Sequence, residues 1–260
     1  MATQLVKGLT VEIEGEGTPL LCIHGLGGSS NTWTPVLGAV PQFKVIRPDL
    51  PGSARSELPE QKLSIEVYVA ALEQLLTTLE IDEVHVVAHS LGTIVAQHFA
   101  VRNQAKVKSL ALFGPLVAPP EAARANIAAR AQLARTGMAG MQQIADAVAA
   151  GATSKETKAD QPAVLALVRE CIMRQSPEGY AQSCEALATA QSAQVEQIRV
   201  PTLLVTGDQD GVAPPAAVAL IADRISGSHR VVYEGCGHWT TFEKSNRCLH
   251  ELKSFHTSLR

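Results

Sequence analysis

Short apolar runs alternate with longer segments of helical periodicity along most of the chain. The runs predict strands at 10–14, 20–24, 44–48, 84–89, 107–113, 202–206 and 230–233. Between them, residues 64–79 place apolar side chains three or four positions apart, and Ser64 stands where a helix N-cap is expected. Strands that alternate with helices are typical of a parallel sheet covered on both faces. The pattern therefore predicts an α/β fold with a mostly parallel central sheet flanked by helices.

The alternation stops after residue 114. Residues 115–199 are rich in alanine, arginine and glutamine, and they predict three to five helices without a strand. Because strands resume at residue 200, we predict a core domain of 1–114 and 200–260 and an inserted helical cap, or lid, of 115–199. Such an insertion is expected above the carboxyl ends of the strands, where open α/β sheets bind their ligands. A packed subdomain without ligand contact is the alternative.

Composition narrows the classes of partner. The 260 residues can bury a sizeable core, and the net charge of -3 predicts no nucleic-acid partner. No apolar run approaches the roughly 20 residues of a membrane span, and the first residues do not resemble a secretory signal. We therefore expect no membrane contact, a cytoplasmic location and a small-molecule ligand, while the oligomeric state is left open.

Neither the cysteines nor the histidines have the spacing of a metal site. The five cysteines include no Cys-x-x-Cys pair, which predicts free thiols. Among them, Cys236 lies two residues before His238 and could be a nucleophile, although a small buried filler is the favoured interpretation. No histidine pair has metal-ligand spacing. We expect no metal and no cofactor.

A serine between small residues follows the run at 84–89. Ser90 lies two residues after Ala88 and two before Gly92, and a helical segment comes next. This is typical of a nucleophile elbow, in which a sharp strand-to-helix turn exposes the serine hydroxyl, although the usual first glycine is Ala88 here. A simple helix N-cap is the alternative, because serine favours that position.

A nucleophilic serine needs a base, and the base needs a group that orients it. Asp208 and Asp210 follow the strand at 202–206, and His238 follows the strand at 230–233. The order Ser, Asp, His along the chain is that of α/β-hydrolases. We predict that Ser90 is the nucleophile, that His238 is the base, and that Asp210 or Asp208 orients the histidine.

Two backbone amides are predicted to bind the oxyanion of a tetrahedral intermediate. Leu91 directly follows the serine, and Leu26 lies in a glycine-rich loop after an early strand. Glycines in that loop, at 25, 27 and 28, allow the backbone to approach a substrate closely. Their spacing fits neither of the common phosphate-binding patterns, so a nucleotide site is not expected.

Five motifs in order resemble the α/β-hydrolase superfamily over essentially the whole chain. They are His24-Gly25-Leu26-Gly27, the segment 49–56, Ala88-His89-Ser90-Leu91-Gly92, Gly207-Asp208-Gln209-Asp210 and Gly237-His238. The resemblance implies the α/β-hydrolase fold. In related chains the acid lies three residues after the glycine that ends its strand, and this position favours Asp210.

The cap most resembles that of 3-oxoadipate enol-lactonases, at 134–138, 144–148 and 176–180. This resemblance implies a serine hydrolase of small esters or lactones that acts through an acyl-enzyme in aromatic catabolism, on a carboxylate-bearing substrate. Cap arginines would bind the carboxylate, and the candidates are Arg124, Arg130, Arg135 and Arg174. Arg135, Trp33 and Trp239 are the predicted substrate contacts.

The chain also departs from these lactonases. It has Ala149-Ala150-Gly151 where they have an aromatic pair, and Thr93 where they have a glycine. His238-Trp239 is instead similar to hydrolases that cleave carbon–carbon bonds in ring-fission products. Such a hydrolase or a general carboxylesterase is the alternative function, and a non-catalytic small-molecule receptor is a third.

Overall fold

The computed structural model describes residues 2–259 and contains an eight-stranded sheet with the order β1-β2-β4-β3-β5-β6-β7-β8. The β1–β2 hairpin is antiparallel, β2 is antiparallel to β4, and the remaining neighbours are parallel. The predicted fold class, a mostly parallel sheet with flanking helices, is confirmed. The strands are β1 Ala2–Val6, β2 Leu9–Glu14, β3 Thr18–Ile23, β4 Phe43–Pro48, β5 Val84–His89, β6 Val107–Phe113, β7 Thr202–Gly207 and β8 His229–Tyr233.

All predicted strands are present, with ends that differ by at most two residues from the expected ones. The sequence pattern missed β1. Four of its five side chains are exposed, because β1 is an edge strand held by backbone pairing with β2. A strand of this kind has no buried face and therefore no apolar alternation that could predict it.

Helices cover both faces of the sheet. On one face lie α1 Ile65–Thr78, α2 Leu91–Arg102 and α8 Pro215–Arg224, and on the other lie the 3-10 helix Ser30–Ala39 and α10 Ser245–Ser258. Ser64 caps α1 as predicted, because its hydroxyl accepts the amide of Val67 at 3.2 Å.

The central strands alternate between two apolar clusters. In β5, Val84, Val86 and Ala88 face the cluster that contains α1 and α2, while Val87 faces the cluster that contains α10. Side chains that alternate in this way on a strand buried on both faces give a continuous apolar run. The core of the protein therefore fixes where each central strand ends, and with it the position of the loops that follow.

Five α-helices, the short 3-10 helix Val195–Gln197 and no strand lie between β6 and β7 in the part of the chain that the structure describes. The α-helices form most of this segment. They are α3 Glu121–Ala134, α4 Met138–Gly151, α5 Lys155–Asp160, α6 Pro162–Met173 and α7 Pro177–Thr189. Apolar side chains of α3, α4, α6 and α7 form a third cluster, which also includes Trp239 and Phe242 from the chain after β8. We keep the name cap for residues 115–199; their division from the core as a separate domain stays a prediction.

Within residues 2–259, no helix combines the length and the apolar character needed to cross a bilayer. The five cysteines are free and buried.

Candidate active site

Ser90, Asp210 and His238 come together at one edge of the sheet. Because β5, β6, β7 and β8 are parallel, the loops after them open at the same edge. Ser90 directly follows β5, Asp210 lies in the loop after β7, and His238 lies in the loop after β8. All three are buried, and the exposed fraction of Ser90 is 8%.

Ser90 occupies a sharp turn between β5 and α2. Its φ of 53° and ψ of -123° lie in the left-handed half of backbone space, which non-glycine residues rarely adopt. The turn is held by bonds on both sides, since the Ser90 amide donates to the carbonyl of Phe113 at 2.9 Å and the Thr93 amide donates to the carbonyl of Ser90 at 2.7 Å. The Ser90 hydroxyl makes no capping bond to α2. The geometry is that of a nucleophile elbow rather than of an N-cap.

The elbow requires glycine at two contacts. A Cβ atom on Gly92 would lie 2.5 Å from the carbonyl oxygen of His24 and 2.7 Å from that of Ile23. A Cβ atom on Gly25 would lie 2.7 Å from the Cβ of Ser90. At the other small position, Ala88 is fully buried, so a methyl group is accommodated there.

A chain of hydrogen bonds joins the three side chains. His238 Nδ1 lies 2.8 Å from Asp210 Oδ2, and His238 Nε2 lies 2.8 Å from Ser90 Oγ. Burial alone would raise the pKa of Asp210, but the charge and hydrogen bond of His238, with the amides of Ala213 and Val212, lower it to about 2.

The ionised state of Asp210 fixes the tautomer of the histidine. An ionised carboxylate can only accept, so the neutral imidazole carries its proton on Nδ1 and presents the lone pair of Nε2 to Ser90. The Ser90 hydroxyl therefore donates to His238. This arrangement can remove a proton from Ser90 and return it to another group.

The other two candidates in these loops have different surroundings. Asp208 Oδ1 accepts the amide of Cys236 at 3.1 Å and braces the loop after β8. The structure thus brings Asp210 to His238 and keeps Asp208 away from it. Cys236 is fully buried, and burial raises the pKa of its thiol far above the usual range, so it lacks the thiolate that a nucleophile needs.

His24 fixes the glycine-rich loop after β3. Its Nε2 accepts the amide of Leu50 at 2.9 Å, so its proton is on Nδ1, which donates to the carbonyl of Gly25 at 2.8 Å. The same carbonyl accepts the amide of Gly28 at 3.0 Å. Burial lowers the pKa of His24 and keeps the ring neutral, as these two bonds require.

The two predicted oxyanion donors are available. Neither the Leu26 nor the Leu91 amide has a hydrogen-bond acceptor within residues 2–259. Leu91 begins α2, where amides lack partners within the helix. Gly27, which follows Leu26, has a φ of 73° and therefore needs the freedom of glycine.

The cap touches this loop through Gln175, a residue that the sequence analysis missed. The Gln175 side chain donates to the carbonyls of Gly27 and Gly28, at 3.1 Å each, and accepts the amide of Ala54 at 2.9 Å. It is 5% exposed. A glutamine before a helix start carries no sequence signal of such a contact, because these three partners lie more than a hundred residues away.

The two tryptophans that were predicted to contact the substrate lie in different parts of the structure. Trp33 is a correction to the prediction, because it packs in the core, 1% exposed, with its ring edge-on to Phe113. Trp239 lies between core and cap, stacks on Phe242 and has its ring centroid 5.6 Å from that of His89. Trp239 therefore belongs to the apolar cluster of the cap, directly after His238 in the chain, whereas Trp33 belongs to a cluster of the core.

Arg135 is also placed differently from the prediction. Its guanidinium binds Glu178 at 2.9 Å and Glu185 at 2.5 Å on the outside of the cap. The hydrogen bonds that Arg135 donates to both glutamates raise its pKa. Because two carboxylates already occupy its donors, Arg135 is not a free cation for a substrate.

The size of surface clefts does not identify the site. A cleft of about 300 Å³ lies at the amino ends of β7 and β8, against Thr202, His229 and Phe255. Ser90, Asp210 and His238 do not line this cleft. In the described part of the chain, no group of His, Cys, Asp and Glu residues is arranged to hold a metal ion. The chemistry of the buried side chains marks the edge with Ser90 instead.

Comparison with known proteins supports the fold. A family model described as the alpha/beta hydrolase family matches residues 20–248. The match covers β3 to β8 and includes Ser90, Asp210 and His238. The α/β-hydrolase fold predicted from the sequence is confirmed.

Similar proteins include several hydrolases. The enol-lactonase from Burkholderia xenovorans LB400 is 27% identical, with a TM-score of 0.90 and coverage of 98% of this chain and 100% of that one. A 2-hydroxymuconate semialdehyde hydrolase from Pseudomonas sp. (strain CF600) is 26% identical, over 90% of this chain and 84% of that protein. A thermophilic esterase from Thermogutta terrifontis shares the fold, with 23% identity, a TM-score of 0.91 and coverage of 99% and 98%.

Gly92→Ala is expected to destabilise the protein. The new methyl group would meet two backbone carbonyls that cannot rotate away, and overpacking of this kind costs about 1–3 kcal/mol. Gly151→Ala is the matched control, because nothing lies within 4 Å of its added Cβ. Urea unfolding measures both. Equal free energies of unfolding for Gly92→Ala and the unmutated protein would contradict the close approach.

Proposed function

The chain belongs to the alpha/beta hydrolase family, and on this basis we propose that it is a serine hydrolase of small esters or lactones. The observation that carries the proposal is the continuous set of hydrogen bonds from Ser90 through His238 to Asp210, at 2.8 Å each. The strained turn at Ser90 supports it further, since such strain is common at functional sites.

Ser90 Oγ attacks the carbonyl carbon of the substrate while His238 Nε2 takes its proton. The negative charge that develops on the carbonyl oxygen is stabilised by the amides of Leu26 and Leu91, and Asp210 stabilises the imidazolium. His238 then donates its proton to the leaving alcohol, and an acyl-enzyme remains. Water attacks this ester with His238 as the base, which releases the acid and restores Ser90. The reaction needs no cofactor.

A lactone changes one step of this sequence. Its leaving alcohol stays tethered to the acyl group, so ring opening leaves a hydroxyacyl ester on Ser90, and water then releases a single hydroxy acid. The likeness to the enol-lactonase from Burkholderia xenovorans LB400 supports a lactone as the substrate.

Among the cap arginines, Arg130 is the best candidate to bind a substrate carboxylate. Arg124 donates to the carbonyls of Ala188 and Ala190 and pairs with Glu121. Arg174 is exposed. Arg130 is half-buried and approaches Tyr180, where it opposes the rise in the tyrosine pKa that burial causes.

Tyr180 connects Arg130 with the site. An added Cβ on Gly27 would lie 3.1 Å from a ring carbon of Tyr180, so the tyrosine rests on the loop that contains Leu26. A carboxylate beside Tyr180 would therefore be near both the arginine and the oxyanion loop. A guanidinium suits a carboxylate because it can donate two parallel hydrogen bonds.

A carbon–carbon bond hydrolase is the second candidate function. The 26% sequence identity with the 2-hydroxymuconate semialdehyde hydrolase from Pseudomonas sp. (strain CF600) favours it. The position of Trp239 directly after His238 also favours it. Both candidates use the same edge of the sheet.

Ser90 is expected to react with a fluorophosphonate, which mass spectrometry would locate on the peptide that contains it. Ser90→Ala should abolish labelling and turnover of an activated ester. Asp210→Asn should lower kcat by about 10⁴, because the imidazole would no longer be held in the required tautomer. Asp208→Asn is the control and should keep much more activity. Absence of both labelling and turnover in the unmutated protein would favour the non-catalytic receptor, whereas equal turnover by Ser90→Ala would show that Ser90 is not the nucleophile.

The substrate class can be tested with a panel of lactones, simple esters and one ring-fission dienoate. The proposal expects turnover of a carboxylate-bearing lactone, with kcat/KM above that of the dienoate. Efficient cleavage of the dienoate alone would replace the lactonase with the carbon–carbon hydrolase.

Arg130→Met is expected to raise the KM for a carboxylate-bearing lactone at least about tenfold, and to change the KM for an uncharged ester little. The loss of one charged hydrogen bond, worth about 1.5–3 kcal/mol, is the physical reason. Arg135→Met, which removes a cation from the outside of the cap, is the matched control. If Arg135→Met and not Arg130→Met raised the KM, the assignment of the carboxylate site would be wrong.

A further inference from the structure

Glu243 is a buried carboxylate with four hydrogen bonds. It ends the short helix α9, Thr240–Glu243, and is 4% exposed. Its Oε1 accepts the amide of Trp239 at 3.0 Å, and its Oε2 accepts the amide of Gly237 at 3.1 Å. Oε2 also accepts the amide of Ser154 at 2.7 Å and the hydroxyl of Thr157 at 2.8 Å.

Two of these hydrogen bonds hold the residues directly before and after His238. Glu243 binds the amides of the residues before and after it, and the amide of His238 itself donates to the cap carbonyl of Ala152 at 2.9 Å. The carbonyl of His238 accepts Nε2 of His89 at 2.9 Å. The backbone around His238 is thus fixed independently of the bonds that its imidazole makes.

Half of the Glu243 contacts come from the cap. Ser154 and Thr157 lie at the start of α5, and Ala152 lies in the turn before it. The carboxylate therefore ties the loop that carries His238 to the cap segment 152–157. A shift of this segment would act directly on the position of the histidine.

The environment of Glu243 distinguishes it from an ordinary buried ion pair. Within residues 2–259 no lysine, arginine or histidine forms an ion pair with it. A buried carboxylate without a cation is costly unless hydrogen-bond donors replace its water. Here the donors are three backbone amides and one hydroxyl, all from the loop of His238 or from the cap.

We propose that Glu243 is a positioning residue that sets the place of His238 relative to Ser90 and couples it to the cap. The proposal rests on the proposed function, in which His238 is the base. Proton transfer requires a distance close to the observed 2.8 Å between Nε2 and Oγ. A misplacement of about 1 Å can cost about 100-fold in rate.

Glu243→Gln tests the proposal with little change in volume. One side of the glutamine presents an amide NH₂, which would meet an N–H donor instead of accepting from it. The loop must then shift on at least one side of His238. We expect kcat for an activated ester to fall about 100-fold, with KM changed less than about twofold, since the ester does not touch residue 243.

A spectroscopic readout separates positioning from loss of stability. The proton on His238 Nδ1, hydrogen-bonded to Asp210, should give a strongly downfield resonance in the unmutated protein. In folded Glu243→Gln this resonance should move or broaden. Gln175→Met, which cuts the cap from the Gly27 loop instead, should leave it in place. Glu73→Gln, which weakens the contacts of a distant glutamate with Arg102 and Asn103, should change neither the resonance nor kcat.

Thr157→Val carries the test if Glu243→Gln does not fold. It removes the cap hydroxyl that donates to Glu243 and that also accepts the hydroxyl of Ser154 at 3.0 Å. A fall in kcat of about threefold or more at constant KM is expected. Unchanged kcat and an unchanged resonance in the folded variant would overturn the proposal. Fluorophosphonate labelling of the unmutated protein is the separate control: its failure would remove the proposed function, whereas labelling with unaffected variants would remove only the role of Glu243.

Discussion

Ser90 adopts a left-handed backbone conformation, with a φ of 53°, and the whole site is built around it. Such a conformation costs roughly 1–3 kcal/mol and persists only where the surroundings enforce it. Here the bonds to Phe113 and Thr93 hold the turn, and Gly25 and Gly92 let neighbouring backbone approach to distances that a side chain would prevent. The sheet supplies this support, because β3, β5 and β6 are adjacent and parallel. The strain is therefore maintained by the central strands of the sheet.

Loops are in general more mobile than the strands and helices that they connect. Here the cap binds two of the loops that complete the site. Gln175 holds the carbonyls of the Gly27 loop, and Glu243 connects the loop of His238 with Ser154 and Thr157 of the cap. Each contact uses polar side chains that are almost fully buried, where hydrogen bonds are strong and unpaired groups are costly. The cap therefore acts as a structural part of the site on both sides of Ser90. A cap built only to cover the pocket would not need to bind the backbone of either loop.

The sequence predicted what depends on local pattern. The apolar runs gave the central strands because those strands are buried on both faces, and motif spacing brought Ser90 together with Asp210, although the residues alone left Asp208 open. Edge strand β1 was missed because it is exposed. Gln175 and Glu243 were missed for a different reason: a buried polar side chain is recognised by its partners, and these lie in other segments of the chain. The same limit explains why Arg135 was wrongly expected to contact substrate. Arg135 directly follows α3, whereas its glutamate partners lie on α7, in another segment of the chain.

The choice between an ester and a lactone depends on the cap more than on the serine. After a lactone opens, its hydroxyl stays tethered and competes with water for the acyl group on Ser90. Hydrolysis then prevails only if the far end of the product is held away from the acyl carbon. The apolar side chain of Ile172 in the cap packs on the loop of Leu26 and Gly27. Beside it, Tyr180 lies next to Arg130. An anionic end bound there would keep the opened chain extended, because the low polarity around it strengthens the pairing with the guanidinium. Under the proposed function, this arrangement is the physical reason to expect that a carboxylate-bearing lactone is hydrolysed better than a neutral ester.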